Sequence, residues 1–313
     1  MPISAELAGE HIATWSRRLR PFPARAGWAE HLFHSCQLEV AISILNDGEL
    51  RCRTQAGTLI CDVANQGAVW NNPAAHNFAR LYFRPRNSFH LKTEGIKLRS
   101  DPYRRDPHMS IPVMFAFDLE KVLTWRHAYF LAGNFARAAA APQTGDVAFR
   151  ALDFAKIYHD GPTTAENRVE IHDARMAEVV ADHAIPVSMA KSVICRTPHE
   201  LATLKAGLGK RLGKPPIVVE KQNSLFMRRQ IYISEIFCER GHIHISITTS
   251  VHAGSAPVSY RIYSSESEQS GFLPSSRVRF NGFKAVDPNT VWTVELEGCV
   301  AYRAPIPWSD QLV

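Results

Sequence analysis

Hydrophobic and polar positions follow different periods in the two ends of the chain. Up to about residue 228, short apolar runs are interspersed with stretches in which apolar residues recur every three or four positions, as in amphipathic helices. Beyond it, the segments 230–234, 242–249, 259–263 and 291–296 alternate with a period of two, between Gly, Pro, Ser and Asn. This pattern predicts an α+β region followed by a small, mainly antiparallel β module.

The first region opens with a predicted strand over 32–35, a helix over 37–46 and a second strand over 50–53. Ser35 is the expected N-cap of this helix, and Gly48 its expected C-terminal stop. Further strands are expected over 80–84, 113–118, 191–195 and 216–219, and further helices over 147–158 and 199–208.

The chain has 313 residues, which is enough for one large domain or two smaller ones. We divide it into an N-terminal helix with a basic arm (1–27), an α+β domain (28–228) and the β module (229–313). The arm is expected to be extended because prolines interrupt it. Its basic residues are Arg17, Arg18, Arg20 and Arg25.

Composition and cysteine spacing indicate a globular protein and argue against a membrane-spanning or disulfide-rich one. Hydrophobic residues make up 45% and charged residues 21% of the chain, as in ordinary globular proteins. No apolar run approaches the roughly 18 to 20 residues of a membrane span, and the first residues do not resemble a secretory signal. The six cysteines form no CxxC pair, which favours reduced thiols. We therefore expect a cytoplasmic protein without a membrane partner.

Positive charge is concentrated in one window of the sequence. The chain carries a net charge of +6, and residues 80–105 contain eight Lys or Arg against two acids. Aromatic residues are interleaved with them, a pattern that suits phosphate contacts and base stacking on single-stranded nucleic acid. A solvated strand face with its aromatics in the core is the alternative. The candidate nucleic-acid-binding residues are Arg80, Arg84, Arg86, Arg104 and Arg105.

Glu178 is the candidate catalytic residue. It precedes a short β-branched run closed by Pro186, which places a carboxylate at the start of a buried strand. Desolvating a carboxylate is costly unless its charge is compensated or used. The alternative is a salt-bridged residue at a strand edge. His242 and His244 share a strand face, but without a third ligand in view they predict a polar face rather than a metal site.

Four segments share their order and spacing with a known family. They are FHSC at 33–36 with ILNDGEL at 44–50, LYFRPRN at 81–87, MAEVVADHAIP at 176–186, and the stretch from SVI at 192–194 to VVEKQNSLF at 218–226. They resemble the family patterns YHIT…IL..G.L, FYF.PRS and QAEFLV…P, and its closing helix and strand. The region 28–226 therefore resembles the DarT family of toxin ADP-ribosyltransferases, whereas the β module lies outside the match.

The resemblance implies an ADP-ribosyltransferase-like split β core with flanking helices, and a reaction in which NAD is a substrate and no metal is needed. Single-stranded DNA or RNA would be the acceptor, and an antitoxin protein the partner that restrains the toxin. Glu178 would orient the ribose and help to deprotonate the acceptor base. His34 would bind the adenosine-side ribose, and Tyr82 or Phe83 would pack on nicotinamide. The NAD-binding positions carried over are His34, Ser35, Cys36, Tyr82 and Phe83.

The sequence departs from the family pattern at two points. Cys36 stands where the family has the Thr of YHIT, and residues 58–79 contain no Arg or Lys where the family has a loop arginine. Arg80 and Arg53 are candidates to replace that arginine. The loop over 55–77 is long enough to be functional in its own right. The competing function is therefore a nucleic-acid-binding module that lacks catalysis.

Overall fold

The computed structural model describes residues 1–56, 72–101, 104, 107–135, 141–209, 215–222, 224–248, 257–280 and 287–309. The α-helices in these residues are α1 (Ala5–Leu19), α2 (Leu38–Asp47), α3 (Ser88–Thr93), α4 (Leu119–Leu123), α5 (Asp146–Arg150), α6 (Phe154–Ile157), α7 (Arg168–Ala174) and α8 (Pro198–Leu208). Single 3₁₀ turns lie at Pro23–Arg25, Trp28–Glu30, Pro73–Asn77 and Val187–Met189. None of the described helices combines the length and the hydrophobicity of a membrane span.

A seven-stranded sheet organises the first two thirds of the chain. Its strands and those of a small β2–β7 pair are β1 (His31–Gln37), β2 (Glu49–Leu50), β3 (Ala79–Tyr82), β4 (Pro112–Asp118), β5 (Ala128–Leu131), β6 (Glu178–Ala181), β7 (Ile185–Pro186), β8 (Ala190–Cys195) and β9 (Ile217–Val219). The sheet has the order β5-β6-β3-β1-β4-β8-β9 and is antiparallel except for β8 and β9. All four residues of β6 are buried, so both faces of the sheet are covered at this strand.

The first predicted strand and helix are present with shifted bounds. Strand β1 continues to Gln37 because its residues pair with β4, including Ser35 with Met114. Helix α2 therefore starts at Leu38, and the predicted N-cap at Ser35 is wrong, since Ser35 lies inside the strand. Gly48 does end the helix, in the left-handed conformation at φ 75°. Glycine tolerates this conformation at little steric cost.

Two other predicted elements are shorter than expected. The helix predicted over 147–158 is split into α5 and α6, because the Asp153 side chain accepts a hydrogen bond from the Lys156 amide at 3.2 Å and caps a new helix. The strand predicted over 50–53 is limited to β2, which pairs with β7 through Glu49 and Leu50. Local capping and the length of the pairing partner set these bounds.

The N-terminal segment folds back onto the domain instead of extending from it. Arg17 and Arg18 lie in the last turn of α1, so they belong to a helix and not to an extended arm. The Arg25 guanidinium stacks 3.8 Å from the Phe22 ring centroid and donates to the Tyr158 carbonyl at 3.2 Å. Part of the predicted basic arm is therefore engaged in intramolecular contacts.

The C-terminal region forms two antiparallel sheets, as the period-two pattern predicts. Their strands are β10 (Ile233–Glu239), β11 (His242–Ile247), β12 (Val258–Tyr263), β13 (Glu268–Leu273), β14 (Arg277–Phe280), β15 (Val291–Leu296) and β16 (Cys299–Pro305). The sheets have the orders β10-β11-β14 and β13-β12-β15-β16. Strands β13, β14 and β16 were not predicted. Most residues of β13 are exposed and polar, and the alternation in β14 covers only four residues.

The β module shares its hydrophobic core with the preceding domain. Ile96 and Leu98, from the segment between α3 and β4, are buried in the same cluster as the strands of the module. Ile96 also pairs with Ile231 in an isolated antiparallel bridge. On the other side of the junction, the Arg303 amide donates to the Thr203 hydroxyl of α8 at 3.1 Å. The domain boundary at residue 228 remains a prediction.

A buried ionic network lies at this junction. The Arg196 side chain is fully buried and contacts Glu94 at 3.3 Å and Glu200 at 3.0 Å. Its guanidinium lies 3.9 Å from the ring centroid of Tyr232, which belongs to the second region. Glu94 also accepts from the Arg228 amide at 2.8 Å. Because a buried charge without a partner is costly, these contacts link the two regions.

Replacing Arg196 with Ala should destabilise the protein by about 3–5 kcal/mol, because Glu94 and Glu200 would be left as buried, uncompensated charges. Urea denaturation followed by circular dichroism measures this loss. Arg99→Ala is the matched control, since the Arg99 side chain is 73% exposed and lies 3.7 Å from its acidic partner Glu297. Equal stabilities of the two variants would contradict a structural role for the Arg196 network.

Candidate active site

Glu178 is buried in the seven-stranded sheet, on the second strand from its edge. It is the first residue of β6 and lies between Tyr82 of β3 and Leu131 of β5, its partners in register. Its side chain has no solvent exposure. A carboxylate at such a position requires charge compensation and hydrogen bonds to remain ionised. The predicted start of a buried strand at Glu178 is therefore confirmed.

Arg80 supplies that compensation with a forked contact. Its Nη2 atom donates to Glu178 Oε1 at 2.7 Å, and its Nε atom donates to Oε2 at 3.1 Å. The Phe135 amide also donates to Oε2, at 3.2 Å. The Asn134 side-chain oxygen accepts from Arg80 Nη2 at 3.3 Å. The loop after β5 and the strand β3 thus hold one carboxylate from two sides.

The protonation of this cluster follows from burial and charge. Burial raises the pKa of the Glu178 carboxyl, while the Arg80 guanidinium and hydrogen bonds from Phe135 and Tyr82 act against the rise. Burial also raises the pKa of Tyr82, and the neighbouring Glu178 carboxylate raises it further. Tyr82 is therefore a neutral hydroxyl that donates to Glu178. The result is a buried carboxylate that depends on one cation for its charge.

His34 lies on the other side of Arg80. Its Nδ1 atom is 3.1 Å from the Arg80 carbonyl oxygen. Because a carbonyl can only accept, Nδ1 carries the hydrogen and Nε2 carries the lone pair. Burial lowers the pKa of His34 to about 4, so the imidazole is neutral near pH 7. The structure therefore brings together His34, Arg80, Tyr82 and Glu178, four of the residues that the sequence singled out.

The remaining candidate NAD-binding residues lie deeper in the fold. Phe83 is fully buried and packs edge-to-face on Phe154 at 5.4 Å, so its predicted contact with nicotinamide does not fit the structure. Tyr82 is the member of the aromatic pair that reaches the Glu178 carboxylate. Ser35 and Cys36 are buried in β1, with Ser35 Oγ 3.8 Å from a methionine sulfur. A role of these two residues in NAD binding remains a prediction.

Arg84 is a core residue, which corrects its predicted role in phosphate binding. Its side chain is 1% exposed, donates to Asp160 Oδ1 at 2.6 Å and also donates to the His159 carbonyl. Its guanidinium lies over the Trp28 ring at 4.8 Å. Burial lowers the pKa of Arg84 to about 10. The guanidinium is therefore used inside the protein, and a nucleic-acid strand cannot reach it without unfolding this region.

The other basic candidates are dispersed. Arg86 is 28% exposed and lies 3.5 Å from Asp160, so it is more accessible than Arg84 and makes a longer ion pair with the same carboxylate. Arg104 donates to the Glu297 carbonyl in the β module. Arg105 lies outside the described residues. Arg80, also predicted to contact nucleic acid, pairs with Glu178 instead. Arg80, Arg84 and Arg104 are therefore engaged in contacts within the protein.

Two residues of the site were not predicted from the sequence. Asn134 and Phe135 belong to a stretch without a predicted element, and Phe135 contributes its backbone amide, which most residue types could provide. The sequence contained a signal for the position of Arg80. Arg80 and Tyr82 are two residues apart on one strand and therefore share a face, and Tyr82 is the register partner of Glu178. Arg80, one of the two proposed replacements for the loop arginine, contacts Glu178 directly.

Comparison with known proteins agrees with the predicted resemblance. A family model described as "ssDNA thymidine ADP-ribosyltransferase, DarT" matches residues 33–227, which is more than half of the chain. No curated protein matches the sequence. The matched residues include β1, β3 and β6, the three strands that carry His34, Arg80 and Glu178.

Solved structures of Thermus sp. 2.9 DarT are similar to this chain. The structure in complex with ADP-ribosylated ssDNA has a TM-score of 0.50 at 14% sequence identity and covers 63% of this chain and 96% of its own. The structure in complex with NAD+ has a TM-score of 0.48 at 14% identity and covers 63% of this chain and 97% of its own. The first likeness supports the α+β fold of the N-terminal two thirds.

Arg84→Gln should lower the free energy of unfolding by at least about 2 kcal/mol, because it removes a charge-assisted hydrogen bond to Asp160 from a buried site. Arg86→Gln, in the same segment, should change stability little and should instead weaken binding to single-stranded DNA and reduce its salt dependence. Denaturation curves and fluorescence anisotropy at several salt concentrations measure the two effects. If Arg84→Gln weakened DNA binding and left stability unchanged, while Arg86→Gln lowered stability, the assignment of Arg84 to the core would be wrong.

Proposed function

The chain belongs to the DarT family of single-stranded DNA ADP-ribosyltransferases, and we propose that it transfers ADP-ribose from NAD⁺ to thymidine with Glu178 as its catalytic residue. The family description names thymidine, and this preference is part of the proposal. The observation that carries the proposal is the buried Glu178 carboxylate, bonded through two oxygens to Arg80 and flanked by Tyr82. The Arg80 side chain is 30% exposed, unlike that of the structural Arg196, so this ion pair borders solvent.

The chemistry explains why the carboxylate is placed there. In the reaction the bond between nicotinamide and ribose C1′ breaks, nicotinamide leaves with the bonding electron pair, and positive charge develops on the ribose. A nearby carboxylate stabilises that charge, and a dry environment strengthens the interaction. The new bond joins C1′ to thymine N3, the ring nitrogen of thymidine that bears a proton. Glu178 accepts this proton, directly or through water.

The other residues have distinct tasks in this scheme. Arg80 favours the ionised form of the buried Glu178, because its charge opposes the rise in the carboxyl pKa. His34 presents Nε2 as an acceptor for a ribose hydroxyl, since its Nδ1–H is committed to the Arg80 carbonyl. Tyr82 orients the carboxylate through its hydroxyl and offers a ring face to nicotinamide. These groups bind and orient, and none of them needs a metal ion.

Glu178→Gln should abolish label transfer from NAD⁺ to a single-stranded DNA oligonucleotide that contains one thymidine. The amide keeps the shape of the side chain but can neither accept a proton nor stabilise a cation. Gel analysis with labelled NAD⁺ detects the product. An RNA oligonucleotide of matched sequence is included as the second acceptor, and Glu166→Gln, an exposed glutamate, is the matched control.

Transfer by the wild type to RNA and not DNA would overturn the choice of acceptor. Transfer to neither, by a folded protein that still binds oligonucleotides, would favour a nucleic-acid-binding module without catalysis. Near wild-type transfer by Glu178→Gln would make Glu178 a structural residue. These three results concern different parts of the proposal, so a single experiment separates them.

We also propose that the enzyme acts in the cytoplasm as the toxin of a toxin–antitoxin or phage-defence system. Covalent modification of thymidine in single-stranded DNA blocks base pairing at N3, so it obstructs replication. A cell that carries such an enzyme needs a protein that inhibits it or reverses the modification. The support for this role is the chemistry of the product, and the restraining partner would be an antitoxin protein.

Induced expression in a bacterial host should arrest growth, while expression of Glu178→Gln at the same level should not, because the toxicity depends on base modification. Colony counts and immunoblots of the two cultures measure growth and protein amount. Modified thymidine in DNA from arrested cells, detected by mass spectrometry, links the arrest to the reaction. Equal arrest by both variants would remove the proposed origin of the toxicity.

A further inference from the structure

A second cluster of ionisable side chains lies on the same pair of strands, at the end away from Glu178. His127 directly precedes β5, and Asp182 and His183 directly follow β6. The register pairs Ala128 with Ala181, and the Asp182 amide donates to the His127 carbonyl at 3.3 Å. His127 and Asp182 are therefore neighbours across two hydrogen-bonded strands, which fixes their backbones relative to each other.

The side chains of this cluster converge on one point. His127 Nδ1 lies 3.0 Å and His183 Nδ1 lies 2.8 Å from the same oxygen, Asp182 Oδ1. The two imidazole centroids are 3.7 Å apart. One possible ligand atom from each residue lies within 4.8 Å of the other two. Bonds of about 2.0–2.1 Å from a central metal to N and O ligands place those ligands at comparable separations.

We propose that His127, Asp182 and His183 form a binding site for a divalent transition metal, with zinc as the ion that suits it best. Imidazole nitrogen is a borderline ligand that suits zinc, and zinc also accepts a carboxylate oxygen, whereas magnesium and calcium prefer oxygen ligands alone. Water completes the coordination, since the His183 side chain is 60% exposed. The site lies at the opposite end of strands β5 and β6 from Glu178.

Neighbouring residues influence this site in opposite directions. The Tyr129 hydroxyl donates to Asp182 Oδ2 at 3.1 Å and so orients the carboxylate, as a second layer of hydrogen bonds does at metal sites. Arg126 Nε donates to His127 Nε2 at 2.9 Å, which forces the hydrogen onto Nδ1. Metal binding through Nδ1 requires the opposite tautomer. The Arg126 guanidinium therefore has to move, and its charge opposes the cation.

A metal ion at this site would stabilise the pairing of strands β5 and β6. Strands β5 and β6 extend from this cluster to Leu131 and Glu178, which are paired at the other end. A metal bound by His127, Asp182 and His183 would clamp the two strands together where they leave the sheet. Because the ion binds the folded and not the unfolded arrangement, it should raise the melting temperature.

Isothermal titration of the full-length, tag-free protein with Zn²⁺ in chelator-free buffer tests the proposal. Wild type should bind a single zinc ion per chain, and Asp182→Asn and His183→Ala should each weaken binding by at least about tenfold. Arg126→Ala should bind zinc more tightly than wild type, because it removes the competing donor and charge. His172→Ala is the control for an exposed histidine elsewhere and should leave binding unchanged.

Titration with Co²⁺ gives an independent readout, since its visible absorption reports ligand type and coordination geometry. Circular dichroism of each variant establishes that it is folded. Absence of zinc binding by wild type, or binding that survives Asp182→Asn and His183→Ala, would refute the site. Weaker or unchanged binding by Arg126→Ala would refute the assigned Nδ1 coordination. Glu178→Gln should bind zinc like wild type, which separates this test from that of the proposed function.

Discussion

The site depends on one interaction, the forked contact between Arg80 and the buried carboxylate of Glu178. A carboxylate without solvent contact is tolerated only when a cation and hydrogen bonds replace its hydration. Arg80 lies on β3, the strand next to β6, and so places its guanidinium beside the Glu178 carboxylate. Tyr82, the loop at Asn134 and the ring of His34 all make contacts with this pair, so the geometry of the site follows from it.

Arginine serves two purposes in this chain. Arg84 and Arg196 are buried, each beside an aromatic ring and a carboxylate, and connect segments that are distant in sequence. Arg86 keeps part of its side chain in solvent. A basic stretch in the sequence therefore contains both structural and accessible cations. The delocalised, always charged guanidinium suits both uses, because it stacks on rings and bonds carboxylates while remaining ionised.

The β module is structurally joined to the domain that carries the site. Ile96 and Leu98 enter its core, and Glu94 accepts a backbone hydrogen bond from Arg228 next to the predicted boundary. Glu94, Ile96 and Leu98 follow closely after Tyr82 and helix α3 in the sequence. The segment that follows Tyr82 of the candidate site thus becomes part of the second core.

The sequence by itself determined the α+β class, the antiparallel C-terminal region and the family resemblance, because period-two and helical patterns and short motifs are local properties. It also predicted the burial of Glu178, since this residue precedes a β-branched run. Tertiary structure alone decided which arginine meets that carboxylate and which, like Arg84, enters the core. These outcomes depend on the strand order and on contacts between residues far apart in the sequence, such as the Phe135 amide with Glu178. Local sequence patterns do not contain such contacts. The free-energy cost of each charge depends on how deeply the tertiary structure buries it.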